Sequence, residues 1–215
     1  MRVAIVDPGS GNLASVLRAS VVAAERAGLP VSPVVTREAA MVATAERIIL
    51  PGQGAFAACM RGLAALPGMI ETLHARVAAG VPLLGICVGM QVLAGRGLEH
   101  GETPGLGWIA GEMARMDPHG PDGQPLPLPQ MGWNTLDFRP GHPLLAGIQP
   151  GEHAYFVHSY ALRGGRPEEV LASTDYGGPV AAIVARGNVA GTQFHAEKSA
   201  TLGLRLLANF LRWTP

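Results

Sequence analysis

Short runs of consecutive apolar residues alternate with longer stretches of helical periodicity through the first half of the chain. Residues 3–6, 31–35 and 48–50 are apolar runs of strand length, while 13–27 repeat their apolar positions every three to four residues, as an amphipathic helix does. Buried strands separated by helices are the pattern of a parallel α/β sheet. Another helical stretch, 69–79, leads through Gly80 and Pro82 into the apolar run Leu83, Leu84, Ile86, and 88–94 reads as helix again. Cys87 is thereby predicted at a strand-to-helix junction. Over 107–186 the texture changes to short strands punctuated by Gly and Pro, with 118–129 the most loop-like segment. This half is expected to extend the same sheet in antiparallel fashion. Residues 180–184 and 189–194 flank Gly187-Asn188, a hairpin turn, and 199–213 close the chain as an apolar helix.

Composition narrows the picture. With 215 residues, 48% of them apolar and 15% charged, the chain has ample material for a core and is expected to form a single domain over 1–215. Sixteen basic and sixteen acidic residues cancel, and no run of either sign exists to attract a phosphate backbone, so nucleic acid is not an expected ligand. Every apolar stretch is interrupted well short of the ~20 residues a membrane span needs. The first residues read as a buried strand and not as a secretory signal, so a cytoplasmic location is expected. Cys59 and Cys87 are too few for a disulfide framework and lack the paired spacing of a zinc site; reduced thiols and no metal or cofactor are expected.

Chemistry concentrates at Gly85-Ile86-Cys87-Val88-Gly89. A nucleophile flanked two residues away on each side by glycine is the spacing of a nucleophile elbow, here with Cys in place of Ser. The sharp turn holds the nucleophile in strained backbone geometry, and bulk at either flank would prevent so tight a reversal. It also sets the thiol at a helix N-terminus, which favours thiolate. Cys59 has no such glycines and reads as core.

A thiolate attacking an amide needs an acid for the departing nitrogen. Of the seven histidines, His195 in Phe194-His195-Ala196-Glu197-Lys198-Ser199 fits best, because it ends an apolar strand. Glu197, two positions on, points to the same face of an extended backbone and can orient the imidazole. For the oxyanion of the tetrahedral intermediate, Pro51-Gly52-Gln53-Gly54 offers backbone amides after a strand, together with the amide of Val88. A glycine-rich turn after a strand is equally compatible with an ordinary loop.

With Cys87, His195, Glu197 and that turn in place, the chain resembles the class I, triad-type glutamine amidotransferases. Three further motifs, Asp7-Pro8-Gly9-Ser10-Gly11-Asn12-Leu13, Pro129-Gln130-Met131-Gly132-Trp133-Asn134 and Tyr155-Phe156-Val157-His158-Ser159-Tyr160, resemble the glutaminase subunits of imidazole glycerol phosphate synthases. The resemblance implies a flavodoxin-like, mostly parallel sheet flanked by helices. It also implies hydrolysis of glutamine to glutamate, with the ammonia channelled to a (β/α)₈-barrel cyclase partner in a heterodimer of histidine biosynthesis.

Residue by residue, the resemblance makes Cys87 the nucleophile, His195 the general acid and base, and Glu197 its orienting partner. Gly52, Gln53, Gly54 and Val88 fall at the oxyanion hole, and Gly52, Gln91, Ser159 and Tyr160 at positions that hold glutamine. Asn12, Met131, Trp133, Tyr155 and Lys198 fall at the partner face and ammonia path. Lys198 is the only lysine among the sixteen basic residues. Met131 and Trp133 also fit a reading as core, and Tyr155 as a strand aromatic. The chain departs from the family pattern at Ala196, Gln53 and Pro8, where proline, an apolar residue and an aromatic residue are usual. Other readings are a glutaminase serving anthranilate, aminodeoxychorismate or guanylate synthesis, a self-contained peptidase or γ-glutamyl hydrolase, and a regulatory module that has lost the reaction.

Overall fold

A computed structural model describes residues 1–215. The alternation of the first half produces β1 (Arg2–Val6), α1 (Leu13–Arg26), β2 (Ser32–Thr36), α2 (Ala39–Ala43), β3 (Arg47–Gly52), α3 (Phe56–Ala64), α4 (Met69–Ala78) and β4 (Leu83–Cys87). β2, β1, β3 and β4 lie side by side in that order, all parallel. β3 and β4 are buried along nearly their whole length, as expected of strands covered on both faces; Ile48, Ile49, Leu50, Leu83 and Leu84 are fully enclosed. Cys59, which the pattern places near the start of a helix, falls inside α3 and is fully enclosed, in keeping with its reading as core.

Beyond Cys87 the structure departs from two expectations. The predicted helix over 88–94 is a single turn, α5 (Val88–Gln91), and Ala94 already opens β5 (Ala94–Gly97). The carbonyl of Leu93 is taken by the amides of Trp108 and Ile109 at 2.9 and 3.0 Å, and Gly95 and Gly97 do nothing to sustain a helix. The second departure concerns the antiparallel half, of which only part joins the main sheet. β6 (Thr103–Pro104), β7 (Ile109–Arg115), β8 (Gln130–Thr135), β9 (His153–His158) and β10 (Tyr160–Arg163) stand apart from it. β10, β7, β5 and β6 make a separate four-stranded sheet, and β8 and β9 an antiparallel ribbon. A strand's alternation says that it pairs, not with which sheet, because pairing partners are set by distant parts of the chain.

The remainder behaves as the pattern predicts. β11 (Val170–Asp175) and β12 (Pro179–Arg186) extend the main sheet antiparallel, and β12 turns through Gly187-Asn188 into β13 (Val189–Thr192). β13 then inserts parallel to β4, giving the order β11-β12-β13-β4-β3-β1-β2. The last helix, α6 (Ala200–Arg212), packs on α1 and on the segments 143–145 and 196–198. No helix is long and apolar enough to cross a membrane.

Candidate active site

Three neighbouring parallel strands end at one place. In register, Gly52 of β3 lies beside Cys87 of β4, and Thr192 of β13 lies beside Ile86. Their carboxyl ends therefore deliver the 52–54 turn, Cys87 and the segment 193–195 to a common crevice, where open α/β sheets place ligands.

Cys87 adopts φ 56°, ψ −114°, a left-handed φ that a side chain tolerates only when its surroundings enforce it. Those surroundings are glycines. A Cβ on Gly85 would come within 2.5 Å of the Gly89 carbonyl oxygen, and one on Gly89 would overlap the carbonyl oxygen of Leu50 in β3. Likewise a Cβ on Gly52 would sit 2.6 Å from the Gly89 amide nitrogen, and one on Gly191 2.6 Å from Met90 Cγ. The elbow is thus pressed onto β3 and β13 at van der Waals contact, and the glycine spacing read from the sequence has this close approach as its cause. Because α5 is one turn long, no extended helix macrodipole stands behind the thiol.

His195 does not end a strand as expected, because β13 stops at Thr192. It caps a short 3₁₀ turn, Ala196–Lys198, with its own amide bonded to Tyr155 O at 3.0 Å and its carbonyl accepting from Ser199 Oγ at 2.7 Å. Across this turn His195 Nδ1 reaches Glu197 Oε1 at 2.8 Å, so the anticipated pairing forms by a different backbone route. A carboxylate only accepts, which places the proton on Nδ1 and leaves Nε2 for the thiol side. Ala196, free of the usual proline ring, still permits the turn.

The imidazole and the thiol meet. Burial disfavours charging His195, but hydrogen bonding to Cys87 and Glu197 and their negative charges outweigh it, and the imidazole is pushed up to about 9. The Cys87 thiol itself donates toward Val157 O at 3.9 Å. Cys59 is a contrast: burial first, then the charge of Cys87, pushes its thiol up to about 12, as befits core packing in α3.

A cavity of about 410 Å³ opens over Cys87 and His195. Gln53, Gly54, Val88, Gln91, Ser159 and Tyr160 line it, as does Lys198 at its rim. Gly52 lies behind the wall, packed against Val88 and Gly89, so its part is to let the elbow approach. Asn12 precedes α1, and Met131, Trp133 and Tyr155 lie on the β8–β9 ribbon, all outside the cavity lining. Met131 and Trp133 are not core: they are 64% and 54% exposed, and Trp133 stacks edge-to-face on Tyr155 with ring centroids 5.7 Å apart. Sequence reasoning gave no role to Glu99, His158 or Gln193. Glu99 lines the cavity and accepts the Phe56 amide at 2.8 Å, yet in sequence it sits in an unremarkable polar turn. His158 was visible only as part of a motif, and Gln193 was hidden in an apolar run. No cluster of three or more His, Cys, Asp or Glu side chains is gathered that could hold a metal ion.

The sequence model of the family described as Glutamine amidotransferase class-I matches residues 4–213. The chain belongs to the class-I glutamine amidotransferase family. Among this family's curated members, the imidazole glycerol phosphate synthase subunit HisH of Granulibacter bethesdensis is 56% identical over all of this chain and 97% of its own. That of Rhodospirillum rubrum is 53% identical over the full length of both. A solved structure described as a glutamine amidotransferase superposes with a TM-score of 0.70 at 23% identity, covering 98% of this chain and 97% of its own; at that identity it speaks for the fold.

Proposed function

We propose that the chain is the glutaminase subunit of an imidazole glycerol phosphate synthase, acting in histidine biosynthesis. The observation that carries the chemistry is the convergence of a strained Cys87 with a Glu197-bound His195 at one cavity. Near-full-length identity to HisH subunits supports the pathway.

His195 takes the Cys87 proton, and the sulfur attacks the side-chain carbonyl carbon of glutamine. The oxyanion so formed is held by amides of the 52–54 turn and of Val88. Collapse expels the nitrogen with the proton returned from His195, releasing ammonia and leaving a thioester. Water, deprotonated by His195, attacks the thioester; glutamate leaves and the thiol is restored. Glu197 keeps the ring in the Nδ1–H tautomer and stabilises the imidazolium at each step. Gln91, Ser159 and Tyr160 hold the substrate.

Ammonia passes to a (β/α)₈-barrel cyclase that docks on the face bearing Asn12, Met131, Trp133, Tyr155 and Lys198, giving imidazole glycerol phosphate and aminoimidazole carboxamide ribonucleotide. Residues 1–215 form one glutamine amidotransferase domain working in the cytoplasm as half of a heterodimer. Glutamine hydrolysis measured with and without the cyclase and its nucleotide tests the whole reading. Activity that rises with both and vanishes in Cys87→Ala is expected; equal activity in Cys87→Ala would overturn it.

A further inference from the structure

The carbonyl oxygen of Tyr160 is the meeting point of two buried side chains from distant parts of the chain. His158 Nδ1 lies 2.9 Å from it, and Gln91 Nε2 lies 3.4 Å from it. Gln91 Nε2 also donates to Gln193 Oε1 at 3.2 Å. Gln91 belongs to the elbow turn, His158 ends β9, and Gln193 follows β13; all three are more than nine-tenths buried.

These bonds settle atom identities. A backbone carbonyl can only accept, so His158 carries its proton on Nδ1 and Gln91 turns its nitrogen toward Tyr160. Gln193 must then present its oxygen to that nitrogen. Gln91 lines the cavity, and with Nε2 committed to Tyr160 O and Gln193 Oε1 its remaining polar atom is Oε1. Burial, partly opposed by the bond to Tyr160 and reinforced by the charge on His195, holds the His158 ring down to about 4, so the same tautomer persists across neutral pH.

We infer that Gln193 and His158 are positioning residues that lock the Gln91 carboxamide with its oxygen toward the cavity, so that the site offers an acceptor to an N–H group of the bound substrate. The inference rests on the reading of this cavity as the glutamine site. A flipped Gln91 would set its oxygen against the Tyr160 carbonyl, which cannot donate, and against Gln193 Oε1 as that side chain stands, and would aim an NH₂ at a substrate group that also donates, a mismatch costly in a closed pocket. Without the lock, Gln91 divides its time between the two orientations.

The test uses the complex with the cyclase partner and the variants Gln193→Leu, His158→Leu and His158→Asn. Gln193 Nε2 has no partner, so an apolar side chain of similar size at 193 is expected to fold. Both Leu variants are expected to raise KM for glutamine by about five- to tenfold while kcat changes much less. Cys87 alkylation by iodoacetamide, which needs no glutamine pocket, is expected to keep its wild-type rate, whereas labelling by a glutamine-shaped diazoketone falls in step with KM. His158→Asn, whose Nδ2 replaces the Nδ1–H donor, is expected to restore KM.

Unchanged KM in the Leu variants overturns the inference. So does a parallel fall in both labelling rates, which would mark a merely structural role. Should Gln193→Leu fail to fold, the His158→Leu and His158→Asn pair decides alone. Wild-type complex that neither hydrolyses glutamine nor takes the diazoketone would sink the glutaminase reading itself, an outcome distinct from the first two.

Discussion

At the scale of single residues the site holds two histidines whose ionisation is driven in opposite directions. His195 is pushed up to about 9 despite burial, through its bonds to Cys87 and Glu197, while burial holds His158 down to about 4. Each has a consequence for folding, because an unfolded histidine titrates near 6.5. For His195 the native state binds the proton more tightly, so its stabilisation is complete below about pH 6.5 and is lost as pH rises toward 9. For His158 the unfolded state binds it more tightly, so stability falls as pH drops from 6.5 toward 4. Chemical denaturation across pH should give a maximum near pH 6.5, with His195→Asn flattening the alkaline limb and His158→Asn the acid limb. A maximum that neither variant alters would contradict the assignment. In the proposed reaction the same His195 carries the proton, so His195→Asn is expected to lower kcat in the complex by about 10²–10⁴-fold. A glutamine-like electrophile should modify Cys87, which opens on the cavity, and spare Cys59, whose thiol is pushed up to about 12 in a closed core. Peptide mapping reads that choice directly.

Among the elements, the elbow depends on its neighbours as much as on its own sequence. Gly89 has no room for a side chain because β3 crosses it at the Leu50 carbonyl, and Gly85 none because the chain folds back on Gly89. Gly89→Ala must therefore push β3 and β4 apart or unwind α5. A loss of about 1–3 kcal/mol in stability is expected, together with loss of glutamine turnover. Wild-type melting behaviour in that variant would mean the contact is slack. This spacing was legible in the sequence because a local turn imposes it locally. So were the parallel core and the β12–β13 hairpin, since each strand and each turn residue carries its own signal. What stayed hidden was long-range. The strand at Ala94 is set by amides from residues 108 and 109, and the His195–Glu197 pairing, itself anticipated, forms on a 3₁₀ turn tied to Tyr155 O where an extended strand was expected. Gln193 and His158 carry no local mark, since what links them is Gln91, whose Nε2 donates both to Gln193 Oε1 and to Tyr160 O, the carbonyl that His158 Nδ1 also reaches.

For the molecule as a whole, the unusual feature is where large apolar side chains face water. Core residues such as Phe156 and Phe194 are fully enclosed, yet Met131 and Trp133 stand out on the β8–β9 ribbon. The ribbon joins neither larger sheet, and its residue Val157 accepts from the Cys87 thiol, so one short element spans from Cys87 to this exposed face. A half-exposed tryptophan contributes little to the stability of the chain alone, whereas a tryptophan sealed at the centre of an interface can carry 2 kcal/mol or more of binding. Trp133→Ala should therefore leave the denaturation midpoint of the isolated chain within about 0.5 kcal/mol of wild type. Titration calorimetry against the cyclase should show binding weakened by about thirtyfold or more, that energy expressed as affinity. Because the ribbon reaches Cys87, glutaminase activity at saturating cyclase should recover in full if Trp133 only anchors the partner. A persistent deficit at saturation would instead mean that the ring also transmits docking to the thiol, and unchanged affinity would place the cyclase on another face.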